Sequence, residues 1–315
     1  MQRASTRYLA VAAGFNLTTI GVMEETVQFS HNQKLLYGIL HVPEEVIDPS
    51  IVVILITGGP QVRIGAHRMY VQLSRFLCEH SWASFRFDYE GMGDSAGDFI
   101  GFQYAGPSIT AAVNFLKNRF KGKASFILWS LCDGATAAAL YAATHQDHII
   151  GQILCNPLTV TDQGLARSTI RHYYAKRFFN KDFLGKLFGR KLDLTDSIKS
   201  LWQVIKDTQI QKNKTPGYAN EYKLPDMVID SLHIFSKPIR IVLSKDDIVA
   251  SNFQDELKRN KSLKNDYKSN KIINYIISGA DHTFVEPMAK KEMFAITLKA
   301  LNEITSLQSN KIPTS

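Results

Sequence analysis

The chain reads as an alternating α/β protein, with a mostly parallel sheet flanked by helices and interrupted by a helical insertion. Three observations carry this reading. Apolar runs rich in β-branched residues recur, as in Ile51 to Thr57 and Ile239 to Leu243, with the near-continuous hydrophobicity of strands covered on both faces. Helical patterns separate most of these runs, which implies parallel strands joined by crossovers. The alternation stops between Asn156 and Lys237, where helical patterns follow one another over a length too great for a connecting loop.

Taken in order, Thr26 to His31 and Leu35 to His41 alternate as short strands joined by Asn32-Gln33-Lys34. Ile51 to Thr57 is the first buried strand and ends at Gly58-Gly59-Pro60. A helix follows from Met69 to His80, a strand from Ala83 to Asp88, and a turn-rich segment from Tyr89 to Gly97. The pattern continues with a helix from Ile109 to Phe120, a strand from Ala124 to Trp129, a helix from Ala135 to Ala143 and a strand from Ile149 to Cys155. Within the insertion, helical signals run through Ile170 to Phe179, Phe183 to Phe188 and Ile198 to Ile210, with many Lys and Arg. It is read as a lid, whose Tyr173, Tyr174, Phe178, Phe179 and Trp202 either line an apolar pocket or form the lid's own core. The sheet resumes at Ile239 to Leu243, then come a helix from Phe253 to Leu263, a strand from Lys271 to Ile277 and a C-terminal helix from about Pro287 to Ile304.

Composition narrows the class of protein. With 315 residues and 45% hydrophobic content, the chain can bury one large core and a smaller appended unit. Three cysteines without paired spacing argue against a disulfide framework or a structural zinc site, and fit a reducing compartment. The net charge of +8 suits an anionic substrate or surface, although most such excess is solvated. No apolar stretch reaches the roughly 18 residues of a spanning helix. There is no His-x-x-x-His ligand pair, no cofactor motif and no recognised nucleic-acid motif. Met1 to Val22 carries Arg3, Arg7 and an apolar patch from Tyr8 to Phe15 without an acidic residue. It is read as an extension outside the fold, or as a start placed too early, with Met23 the alternative start.

The chemistry centres on Ser130-Leu131-Cys132-Asp133-Gly134, a turn between a strand and a helix. A nucleophile at such a corner needs small residues two before and two after it, because the chain must fold back sharply; the familiar form is G-x-S-x-G. Here the pattern is small-x-Cys-x-Gly, which makes Cys132 the candidate nucleophile. A helix N-terminus favours an anion, so a thiol there loses its proton more readily, and the same N–H groups can hold an oxyanion. The Asp133 charge opposes thiolate formation, so a histidine partner is required. Cys78, in a helical stretch, and Cys155, at the end of an apolar run, read as packing residues.

Two polar clusters fall at the carboxyl ends of later strands, where open α/β sheets build active sites: Ser244 to Val249 and Ser278 to Thr283. An α/β-hydrolase orders its triad nucleophile, acid, histidine, and Cys132, Asp247 and His282 stand in that order. The imidazole would take the thiol proton, while the carboxylate would fix its tautomer. Asp246 competes with Asp247 for the acid role, because neighbouring residues at a strand end point in opposite directions. His67 and His80 read as structural. The oxyanion hole combines the Asp133 N–H with one from the Gly58-Gly59-Pro60-Gln61 loop; Gly59 is preferred, Gln61 comes second, and Pro60 has no N–H to give.

Five segments, ITGGPQVRIGAHRMY from Ile56, FRFDYEGMGDS from Phe85, LWSLCDGATAAALY from Leu128, LSKDDIVASNF from Leu243 and SGADHTF from Ser278, resemble the exosortase A system-associated hydrolases, type 1. The resemblance covers most of the chain from Met23 and is weakest across the lid. It implies an α/β-hydrolase; the alternation of elements and its break place the core over residues 23–155 and 238–307, the lid over 156–237 and a tail over 308–315. It further implies a cysteine elbow, here with Ser130 where Gly is usual, and a triad of Cys132, Asp247 and His282. Relatives of this kind accompany bacterial exopolysaccharide and exosortase systems, so a cytoplasmic setting is implied. The expected activity is that of an esterase, thioesterase or acyltransferase acting through a thioester on Cys132, without a cofactor, on a small-molecule or lipid- or glycan-linked acyl substrate. The competing expectation is a non-catalytic assembly protein of the exopolysaccharide machinery that keeps the fold.

Overall fold

The computed structural model describes residues 22–46, 49–58, 61–159 and 224–309. Contacts divide the chain into one unit of residues 1–158 and 227–315 and a second of residues 159–226. The helices and aromatic residues expected within 160–223, and the extension before residue 22, lie outside the described residues.

The first unit is built on an eight-stranded sheet of order β1-β2-β4-β3-β5-β6-β7-β8. β1 (Val22–His31) and β2 (Lys34–Pro43) form an antiparallel hairpin. Both turn residues, Asn32 and Gln33, have positive φ (45° and 66°), the backbone of a tight turn whose twist matches its strands. β2 also pairs antiparallel with β4 (Ala83–Phe87). From there the sheet is parallel through β3 (Ile51–Ile56), β5 (Ser125–Leu131), β6 (Ile149–Cys155), β7 (Ile239–Ser244) and β8 (Ile272–Ile277). β3 occupies the middle, and its residues Val52 to Ile56 are fully buried. Each such side chain removed from water contributes roughly 1.5–3 kcal/mol before the entropy of ordering is counted.

Helices cover both faces. α1 (Met69–Glu79) and the C-terminal helix α7 (Pro287–Ser309) pack on one side, and α2 (Gly106–Arg119) and α3 (Asp133–Thr144) on the other. The core under α1 and α7 gathers Tyr70, Leu73 and Leu77 with Trp129, Met293, Leu301 and Ile304. Trp129 is fully buried, meets the Tyr70 ring edge-on at 5.5 Å and donates its indole N–H to Thr297 Oγ1 at 3.1 Å. Three further helices are described: α4 (Leu224–Ile234), α5 (Ile248–Arg259) and the short α6 (Lys264–Lys268).

Several boundaries differ from the sequence reading for local reasons. α2 starts at Gly106 rather than Ile109, because Pro107 supplies a preset first turn. α4 lies where the sequence reading placed no separate helix; Pro225 stands in its first turn, and Val228, Ile229 and Leu232, at helical spacing, are buried. α5 starts at Ile248, five residues before the expected Phe253, because Asp247 caps it by accepting the Ala250 N–H at 3.0 Å. α7 runs on to Ser309, past Ile304.

Trp129 joins sheet to helix through both packing and a polar contact, so its truncation leaves a cavity and removes the indole donor from Thr297 Oγ1. Trp129→Ala is expected to lower unfolding stability by about 3–5 kcal/mol in urea titration, and Thr297→Val by about 1–3 kcal/mol.

Candidate active site

β5 ends at Leu131 and α3 begins at Asp133, leaving Cys132 alone at the corner. Its backbone lies at φ 60°, ψ −128°, a conformation that costs a non-glycine residue about 1–3 kcal/mol. Hydrogen bonds hold it there: the Cys132 N–H donates to Cys155 O at 2.9 Å, and its own carbonyl accepts from Ala135 N at 3.0 Å. The small residues expected around the turn have distinct roles. A Cβ on Gly134 would lie 2.6 Å from Thr57 O and 2.8 Å from Ile56 O, so only glycine lets α3 start this close to β3. Ser130, at the other small position, is fully buried. Gly58 is also spatially constrained, since its Cβ would meet Leu131 O at 2.7 Å and the Asp133 carboxylate. The Cys132 side chain is partly exposed, while Cys78 and Cys155 are buried and burial pushes both their thiols up, Cys78 to about 12.

The acid and histidine arrive from neighbouring strand ends. His282 Nδ1 lies 2.9 Å from Asp247 Oδ2, the same oxygen that caps α5, and Asp247 is buried. Asp246 is exposed, and it is Asp247 that meets the imidazole. Burial alone would lower the His282 pKa. Hydrogen bonds to Asp247 and Cys132, with the charge of both partners, reverse this and raise it to about 10. The structure thus brings Cys132, His282 and Asp247 together, with the imidazole between thiol and carboxylate. His67 and His80 are exposed.

Asp133 occupies the first position of α3, where N–H groups lack intrahelical acceptors. Its carboxylate accepts the Gly134 N–H at 3.0 Å. Gly59 and Pro60 lie outside the described residues, and Gln61 is half-buried.

Sequence reasoning left unassigned the residues that anchor the loop after β3. Asp88, fully buried at the end of β4, accepts the Arg63 N–H at 2.5 Å and pairs with the Arg63 guanidinium, which also reaches Asp94. Arg86 donates to Arg63 O at 3.3 Å and to His41 Nε2 at 2.9 Å. Burial and the Arg86 charge hold the His41 pKa near 3, so this imidazole is a neutral acceptor. The signal was present as buried charge: Arg86 and Asp88 alternate with Phe85 and Phe87 in an otherwise apolar strand.

A sheet of this order, a strained residue at a strand-to-helix corner, and an acid and histidine at the following strand ends define an α/β-hydrolase fold. Comparison with known proteins agrees. The chain belongs to the serine aminopeptidase S33 family, whose model matches residues 52–287. Among solved structures, an esterase of Pyrococcus furiosus aligns with TM-score 0.61 at 14% identity, over 96% of this chain and 99% of the esterase. Est1E of Butyrivibrio proteoclasticus, solved with ferulic acid, aligns with TM-score 0.57 at 16% identity over 88% of this chain and 99% of that one. A dienelactone hydrolase of Anabaena variabilis aligns with TM-score 0.57 at 12% identity, over 90% and 98% respectively. At these identities the likeness is one of fold. Comparison with curated proteins found no match.

The folded-state pKa of His282, about 10, exceeds the ordinary value near 6.5, so the protonated ring contributes stability in full below about pH 6.5. That contribution is lost as pH rises through about 10. Urea midpoints of the wild type are expected to fall between pH 7 and pH 10, and to fall less in Asp247→Asn, where the neutral amide no longer favours the imidazolium.

Proposed function

We propose that this protein is an acyl-transferring hydrolase in which Cys132 is the nucleophile, His282 the general base and acid, and Asp247 the carboxylate that orients the imidazole. The observation that carries this reading is the position of His282, with Nδ1 2.9 Å from Asp247 and the ring within hydrogen-bonding reach of the cysteine at the strained elbow. With Nδ1 engaged by the carboxylate, Nε2 is the nitrogen that exchanges a proton with the thiol.

In this mechanism the thiol proton already resides on His282, whose pKa of about 10 keeps the imidazole protonated at neutral pH, and Sγ of Cys132 attacks the carbonyl carbon of an ester or thioester. The N–H groups of Asp133 and Gly59 receive the tetrahedral oxyanion. Collapse of the intermediate breaks the bond to the leaving group, which takes the proton from His282 and leaves an acyl thioester on Cys132. Water or an acceptor hydroxyl then attacks, giving its proton to His282, and breakdown of the second intermediate releases the Cys132 sulfur beside the protonated imidazole. The raised pKa of His282 favours the imidazolium that protonates the leaving group.

The hydrolase family supports the reaction class, and the cysteine gives this chain a thiol in a family whose description names serine. Assignment to the exosortase A system-associated hydrolases, with a substrate from exopolysaccharide assembly and a cytoplasmic setting, rests on the five sequence segments. The three cysteines are free, in keeping with a reducing compartment. Among the described residues no helix is long and apolar enough to cross a membrane. Residues 156–237 are read as the lid and 23–155 with 238–307 as the catalytic core.

Intact-protein mass spectrometry after mixing with activated esters and acyl thioesters tests the mechanism. A donor-dependent acyl mass that maps to Cys132 and is absent from Cys132→Ala is expected; a folded wild type that takes up no acyl group and turns over no donor counts against it. With a donor in hand, Asp247→Asn is expected to lower kcat by about 10²–10⁴-fold, whereas Asp246→Asn stays close to wild type.

A further inference from the structure

Asn156 follows directly after β6 and has no part in the chemistry above, yet its side chain is fully buried at the junction of three strand ends. Its Nδ2 donates to His282 O at 2.9 Å and to Ser244 Oγ at 3.0 Å, and its Oδ1 accepts the Ser244 N–H at 2.8 Å. The amide orientation is chemically unambiguous, because a backbone N–H can only donate and a backbone carbonyl can only accept. Ser244 completes the arrangement by donating its hydroxyl to Asp281 O at 2.8 Å. Two successive carbonyls of the loop that carries the imidazole, those of Asp281 and His282, are therefore held from beneath by one buried side-chain pair.

The same short segment also grips the elbow. Cys155 accepts the Cys132 N–H at 2.9 Å, and Leu158 returns its own N–H to Cys132 O at 3.2 Å. Thr136 of α3 in turn donates to Leu158 O at 2.5 Å. Between these contacts Asn156 turns the chain with φ 43°, a left-handed conformation that asparagine tolerates better than most residues. Within Cys155 to Leu158, three residues thus touch the backbone on both sides of the thiol and the backbone of the histidine.

We propose that Asn156 is a positioning residue: through the Cys155–Leu158 segment it sets the separation of Cys132 and His282, holding the histidine's backbone while the neighbouring residues hold the cysteine's. The proposal rests on the reading of Cys132 and His282 as a nucleophile and its base. Asp247 orients the ring, and Asn156 places the backbone from which the ring extends. A clamp of this kind matters for rate because a displacement of about 1 Å between reacting groups can cost on the order of 10²-fold.

The test is alkylation of Cys132 by iodoacetamide, followed by intact mass from pH 5 to 10 in the full chain, with the buried Cys78 and Cys155 as internal controls. Wild type should react at neutral pH faster than a free thiol, and His282→Ala should lose that advantage; if the two behave alike, the nucleophile–base reading itself fails. Given that difference, Asn156→Gly, which accepts the left-handed backbone and deletes only the clamp, is expected to slow alkylation at pH 7 about tenfold and to shift its pH profile toward that of His282→Ala. A folded Asn156→Gly with the wild-type rate and profile overturns the proposal. Should circular dichroism show Asn156→Gly unfolded, Ser244→Ala, which removes the hydroxyl that links Asn156 to Asp281 O and keeps the backbone N–H bound to Asn156, decides in its place. A fall of a few-fold with a shifted profile supports the clamp, and an unchanged profile overturns it.

Discussion

Cys132 sits in a backbone conformation that a non-glycine residue adopts only under constraint, and the surroundings of the site are arranged to keep it there. Its N–H and carbonyl are both tied, to Cys155 and to the first turn of α3, so the corner cannot relax toward an ordinary strand exit. The close approach of Gly134 to the carbonyls of Ile56 and Thr57 brings the helix start against the end of β3. The cost in backbone energy keeps the thiol at the carboxyl edge of the sheet, partly exposed at the start of a helix, while the other two cysteines are buried.

The second constraint is the shared use of Asp247. One carboxylate oxygen caps α5 and also meets the imidazole, so the residue that orients His282 is held by the helix it starts. A carboxylate fixed by two donors keeps little freedom, and this sets the tautomer and plane of the ring more firmly than a single contact would. The price of burying that carboxylate is offset by the backbone N–H and the imidazolium it accepts from. The loop after β3 is held by another buried carboxylate, Asp88, working through Arg63. Both devices place charge at the ends of strands, where the sheet's backbone hydrogen bonding runs out.

Much of the fold was legible in the sequence because the central parallel strands are buried on both faces and so carry near-continuous apolar runs. Ile149 to Cys155 was read with the bounds the structure has, and the strand–turn–helix corner was located by the apolar run before it, the helix-forming run after it and the small residues Ser130 and Gly134. Helix starts were less legible, because they depend on capping. The start of α5 follows from Asp247, whose polar side chain had been assigned to chemistry rather than to the helix. Arg86 and Asp88 were visible as charges in an apolar strand, but their partner Arg63 lies more than twenty residues away in sequence, and nothing local announces the pairing.

By itself the sequence determined the alternation of strands and helices, the corner at Cys132 and the chain order of cysteine, aspartate and histidine, because each is written in local composition and turn chemistry. Tertiary structure supplied the contact between His282 and Asp247, the aspartate the sequence reading preferred over Asp246, because the cap on α5 turns Asp247 inward. It also decided the place of Asn156, an unremarkable residue in the sequence that becomes a junction because β6, β7 and the loop after β8 end side by side. Contacts between segments more than eighty residues apart arise from sheet register, and register is a property of the assembled sheet rather than of any one strand.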